Sequence, residues 1–145
     1  MVQVILASQP FDPWKSLQTF QNAMLTVGSY GATAVFVGTM RDFNEGERVE
    51  SLFLDHYPGM TERELERILR EARSQWEFLD ALIEHRVGEI EPGEPIVLVA
   101  VWCAHRGAAF DACRWIMEAL KSRAPFWKKE TGPAGVRWVE RNTAG

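Results

Sequence analysis

The chain has 145 residues, 46% of them hydrophobic and 25% charged, with a formal net charge of −4. That is enough for one domain spanning residues 1–145 with a buried core, and the acidic balance does not suit a general nucleic-acid binder. The longest unbroken apolar run, residues 96–104, is far short of a membrane span, and no secretory signal is seen at the N-terminus. Two cysteines, Cys103 and Cys113, make no disulfide framework and point to a reducing, cytoplasmic setting.

Residues 2–6 read as a short strand. Asp12 is placed to cap a helix with Pro13 as its first residue, and Trp14, Leu17, Phe20, Gln21 and Met24 fall near one face. Residues 32–38 are β-rich and apolar enough to be a buried strand; after a polar turn at 44–47, residues 49–56 are expected to pair with it as a hairpin. Thr61 and Glu64 have capping-box spacing, ahead of a helix whose apolar stripe is Leu65, Ile68, Leu69, Ala72, Trp76 and Leu79.

Residues 81–87 suggest another strand, and 96–103 are apolar nearly throughout, as expected of a central strand covered on both faces. Residues 108–120 predict a third helix with Phe110, Cys113, Ile116, Met117 and Leu120 on one side; Pro125 keeps it from continuing undisturbed. A last strand is expected at 136–139. The order β-α-β-β-α-β-β-α-β-β, without regular βαβ alternation, predicts an α+β fold with a mainly antiparallel or mixed sheet.

Charge is unevenly distributed. Residues 1–104 carry 8 Lys+Arg against 16 Asp+Glu, and residues 105–145 carry 8 against 4, so balances of −8 and +4 sum to −4. The C-terminal stretch Lys121-Ser122-Arg123-Ala124-Pro125-Phe126-Trp127-Lys128-Lys129-Glu130 sets four cations and two aromatics around a proline, the makings of a local anion site. A cation at a helix end is stabilised by the macrodipole and needs no further role, and a charge cluster is often only a solvated face. A lysine becomes a base or nucleophile when desolvation or neighbouring cations lower its pKa; Arg106, Arg123, Lys128 and Lys129 would do this for Lys121 if they converge on it. His105-Arg106 follows the apolar strand at the mouth of the next helix, and Arg41 ends another strand; cations from separate elements meeting at strand ends suit a phosphate.

Other chemistries have less support. His56, His85 and His105 lack ligand spacing, so no metal site is expected, and no dinucleotide, P-loop or serine-hydrolase motif calls for a cofactor or that nucleophile. Cys103 extends an apolar run and Cys113 lies on an apolar helix face, so both read as packed thiols. A scaffold that binds a partner without chemistry, an anion- or RNA-binding module built on residues 121–138, and a plain thioester hydrolase are the competing classes.

Taken together the sequence resembles the catalytic, large-subunit family of molybdopterin synthase. The resemblance is carried by Gly31-Ala32, Phe36-Val37-Gly38 with Arg41, residues 54–60, residues 85–88, Gly93-Glu94, His105-Arg106 with Ala109-Phe110, Lys121, and residues 125–130 with Trp138. Met40 and Asp55 stand where the family more often has Val and Glu, and neither difference removes a candidate catalytic group. The resemblance implies an α/β hammerhead fold with an additional antiparallel β subdomain, in a homodimer within a heterotetramer. The partner it implies is a small ubiquitin-like sulfur-carrier subunit, whose C-terminal Gly-Gly thiocarboxylate enters the large subunit's pocket. Two sulfurs pass in succession to cyclic pyranopterin monophosphate, opening the cyclic phosphate and forming the dithiolene. By the resemblance, Lys121 matches a lysine essential to the chemistry and Lys128 one that is catalytic or substrate-binding, and both are the expected catalytic residues; Thr39, Met40, Arg41, His105, Arg106, Lys129 and Glu130 form the expected substrate-binding set, with Phe36 and Met117 lining the pocket.

Overall fold

The computed structural model describes residues 2–139. In chain order the elements are β1 (Val2–Ala7), α1 (Pro13–Met24), β2 (Ala32–Thr39), β3 (Phe43–Asn44), β4 (Glu47–Arg48), β5 (Ser51–His56), α2 (Met60–Gln75), β6 (Asp80–Arg86), β7 (Gly88–Ile90), β8 (Pro95–Cys103), α3 (Arg106–Arg123), β9 (Phe126–Gly132) and β10 (Gly135–Val139). The first sheet has the order β1-β6-β8-β2, with β1 parallel to β6 and the other pairs antiparallel. A second sheet, β10-β9-β5-β7, is antiparallel throughout. This mixed arrangement agrees with the α+β reading.

Strand β8 is central and buried on both faces, as its unbroken apolar run requires. Leu98, Ala100 and Trp102 pack with Phe20 of α1 on one side, and Trp102 donates from Nε1 to Gln21 Oε1 at 3.0 Å. Val97, Val99, Val101 and Cys103 face the other side, against Leu65, Ile68 and Leu69 of α2 and Ala112, Ile116 and Leu120 of α3. The helix layers therefore sandwich the first sheet. A separate small core of Met40, Val49, Leu52, Leu54 and Ile90 lies under the second sheet and meets the first through Ile96 and Phe126.

Local signals explain the element ends. The Asp12 carboxylate accepts from the backbone N–H of Trp14 and Lys15 at 3.0 and 3.3 Å, with Pro13 opening α1. The expected capping box at Thr61 is displaced: Gly59 is the N-cap of α2, and Glu62 Oε1 accepts from its backbone N–H at 2.9 Å. The Thr61 hydroxyl is instead a clasp, accepting from Tyr57 N and donating to the Pro125 carbonyl.

The predicted hairpin between residues 32–38 and 49–56 does not form. β2 pairs only with β8, while β5 pairs with β7 and β9. The reason lies between them. Glu45 and Gly46, both with positive φ (53° and 78°), make a tight two-residue turn that closes the short β3–β4 ribbon and sends the chain to the second sheet.

Candidate active site

Strand alternation and the end of α3 bring the two lysines together. On β9, Phe126, Lys128 and Glu130 share one face and Trp127, Lys129 and Thr131 the other. Lys121 lies in the last turn of α3, immediately before the break at Pro125 that starts β9. Lys121 and Lys128 both line a cavity of about 320 Å³, and their side-chain nitrogens are in hydrogen-bonding contact. The cavity runs from the end of β2 (Phe36, Gly38, Thr39), through Met40 and Arg41, to β9.

This geometry perturbs Lys128. Burial, and then the adjacent positive charge of Lys121, bring its pKa down from 10.5 to about 8, while Glu130 acts weakly in the opposite direction. A lysine with that value exchanges a proton near neutral pH. Glu130 is itself buried and held in place: Asn44 Nδ2 donates to its Oε1 at 2.6 Å, and Arg137 Nη2 donates to its Oε2 at 3.2 Å.

Behind the lysines sits His85, buried on β6 and stacked on Phe126 with ring centroids 4.1 Å apart and planes tilted 17°. Its Nδ1 lies 2.8 Å from the Arg86 carbonyl, an acceptor only, so Nδ1 carries the proton. Burial holds its pKa down to about 3, with Lys121 and Lys128 adding to the effect, and the ring is neutral.

The expected site residues divide accordingly. Phe36, Thr39, Met40, Arg41, Lys121, Lys128 and Glu130 line one cavity. Met117 is buried in the core against α3's own sheet face and does not line it. Lys129 points to the opposite face of β9, its Nζ 5.8 Å from the Trp138 ring centroid. Arg123 does not turn toward Lys121: it forks onto Glu64 and Glu71 of α2, and both carboxylates raise its own pKa.

His105 and Arg106 are exposed at the far end of α3. Arg106 and Lys121 are fifteen helical steps apart, about 22 Å at 1.5 Å per residue. Within one chain they do not join the pocket. Asn44, Val49, Leu52, Ile96, Val97 and His85 were missed by sequence reasoning; the β-rich pattern of residues 49–56 and 96–103 was the only signal that touched any of the apolar ones. Among the described residues no group of three or more His, Cys, Asp or Glu is placed to hold a metal, and no helix is long and apolar enough to cross a membrane.

Comparison with known proteins bears on this site. A family model described as MoaE protein matches residues 6–123. The chain is 52% identical over 130 residues to the molybdopterin synthase catalytic subunit of Pseudomonas aeruginosa, covering 90% of this chain and 85% of that one. Among solved structures, the molybdopterin biosynthesis MoaE protein from Burkholderia ambifaria MC40-6 superposes with a TM-score of 0.82 at 43% identity, over 99% of this chain and 93% of that one. A chain in the protein–protein complex of subunits 1 and 2 of molybdopterin-converting factor from Helicobacter pylori 26695 has the same fold, with a TM-score of 0.79 at 19% identity over 97% of this chain and 92% of that one.

Proposed function

The chain belongs to the MoaE protein family, the catalytic subunits of molybdopterin synthase, and from that premise we propose that it transfers sulfur from a C-terminal thiocarboxylate to cyclic pyranopterin monophosphate. The observation that carries the reading is the contact between Lys121 and Lys128 in a cavity rimmed by Arg41. Sulfur attack at the pterin side chain displaces phosphate oxygen, and the acyl group left on the donor tail must be released to water. Both events move protons and develop negative charge on oxygen, which paired lysines meet with one proton carrier and one cation.

The two lysines have different roles. Lys128, whose pKa is lowered to about 8, carries the proton. Lys121 supplies positive charge beside it and stabilises the oxyanion or phosphate. Arg41 is held 4.9 Å above the Phe43 ring, at the pocket rim, where its guanidinium meets the substrate phosphate. Phe36, Thr39 and Met40 shape the wall around the pterin, and Glu130 orients Lys128.

The donor is a small ubiquitin-like subunit whose extended Gly-Gly tail enters the cavity. A homodimer within a heterotetramer accounts for His105 and Arg106, which a single chain holds far from its own lysines; a second copy presents them to the pocket. The second sheet supports the reading of an α/β hammerhead with an added antiparallel β subdomain, acting as a single domain. Two free, buried cysteines are consistent with work in the reducing cytoplasm.

The test is a mixing assay. Purified protein, thiocarboxylated small subunit and cyclic pyranopterin monophosphate are combined, and the product is read by fluorescence after oxidation. Wild type should form product and Lys121→Ala should form none while keeping its fold. A stable complex with the small subunit but no product from wild type would leave a binding scaffold instead.

A further inference from the structure

The face of the first sheet turned away from the lysines holds a second cavity, of about 420 Å³, between β1, β6 and α1. Ile5, Phe20, Met24 and Leu82 make its apolar wall. Into this wall β6 delivers Glu84, whose side chain is only 7% exposed overall and whose Oε1 is buried with no hydrogen-bond partner. Strand alternation puts Glu84 here and its neighbour His85 on the catalytic side.

A buried carboxylate oxygen without a donor is costly, and proteins keep such groups where something else satisfies them. Neither of the cations nearest in sequence and space pairs with Glu84. Arg86, two residues along the same face, directs Nη2 to the Glu89 carbonyl and Nη1 toward Glu94 at 3.7 Å, and its Nε is buried without a hydrogen-bond partner. Lys15 lines the cavity from α1 but is exposed and makes no ion pair with Glu84. Asp12, the other acid at the rim, is occupied in capping α1.

We propose that this cavity is a binding site for a small organic ammonium with an apolar body, its N–H groups donating to Glu84 and its hydrocarbon packed on Phe20, Met24 and Leu82. The volume falls within the range of ligand pockets, and an apolar wall with one placed charge is how such pockets fix orientation. The charge selects a cation over a neutral molecule of equal size, because only the cation discharges the carboxylate.

The experiment uses the full chain and two probes, n-hexylammonium chloride and 1-hexanol, followed by NMR shifts and by titration. The ammonium should move resonances of Phe20, Met24 and Leu82 and bind at least about tenfold more tightly than the alcohol, the discrimination expected of one charge-assisted hydrogen bond. In Glu84→Gln the two probes should become equal. Ala23→Lys, on the exposed side of α1 beside the cavity, should place a tethered ammonium over Glu84, raise the melting temperature and abolish probe binding. Equal binding of both probes to wild type, or an ammonium preference unchanged in Glu84→Gln, would overturn the proposal. If Glu84→Gln does not fold, retention of ammonium binding in Ala23→Lys overturns it alone.

Discussion

Lys128 and Lys129 are consecutive on β9, yet the strand sends them into different solvents. Lys128 faces inward, beside Lys121 and above buried Glu130, and its pKa falls to about 8. Lys129 faces outward among Trp127, Trp138 and Val136, and lies over the Trp138 ring. The chemistry of the side chain is the same on both faces. Desolvation within the cavity and one like charge at contact distance together turn Lys128 into a group that titrates near neutrality.

The largest effect separates these two residues directly. Lys128→Ala should lower the rate of sulfur transfer by about 10²- to 10⁴-fold, the usual contribution of a positioned acid–base group. Lys129→Ala should change it by no more than about twofold to threefold, because its side chain points away from the cavity. The assay is the mixing experiment with purified variants. A comparable loss in both would mean that the outward face also touches the reaction.

The second test concerns cause. Lys121→Met removes the adjacent charge and hydrogen bond, so the Lys128 pKa should rise from about 8 toward the ordinary lysine value of about 10.4, followed by NMR titration of the lysine side chains. Persistence at about 8 would assign the whole shift to burial. The same shift predicts a pH dependence of stability. Folded Lys128 gives up its proton at about 8 and the unfolded residue near 10.5, so between these values the unfolded chain binds more protons and stability rises with pH. Below about pH 8 the contribution is a constant penalty, and Lys128→Met should raise stability there and flatten the profile.

Glu130 tests how the inward face is held. Glu130→Gln keeps an oxygen for Asn44 but weakens the pairing with Arg137. Thermal or denaturant unfolding should show a loss of about 1–3 kcal/mol. The Lys128 pKa should fall further, since the Glu130 charge is what raises it. A rise would show that Glu130 governs Lys128 through packing rather than charge.

How much of this was legible in the sequence depends on the range over which each feature is set. Asp12 and Pro13 mark the start of α1 because capping is local. The apolar run of β8 marks a central strand because burial on both faces leaves that trace. Lys121 and Lys128 stand out as cations around Pro125, within eight residues of each other. The expected hairpin does not form because nearness in sequence does not decide pairing, and β5 finds β9 seventy to eighty residues later. The Asn44–Glu130 bond joins residues 86 apart, and no local pattern announces it. His85 stacks on Phe126 across two sheets, again a product of packing alone. His105 and Arg106 were grouped with Lys121 by charge, although the rise of a helix separates its two ends.

The smallest effect is expected on the outward face of β9. Trp138 is 56% exposed and carries Lys129 over its ring, an interaction worth about 0.5–1 kcal/mol at an exposed site. Trp138→Leu keeps an apolar β-strand residue while removing the aromatic face. Its unfolding free energy should therefore drop by no more than about 1 kcal/mol, and the Lys128 titration should remain at about 8. The second readout is the sharper one, because Trp138 pairs with Lys129 in the ladder and is one residue out of register from the partner of Lys128. If the Lys128 pKa moved with Trp138, the strand backbone would be transmitting the change, and the two faces would not be independent environments. An unchanged value would establish that Lys128 is tuned from its own side of the sheet alone.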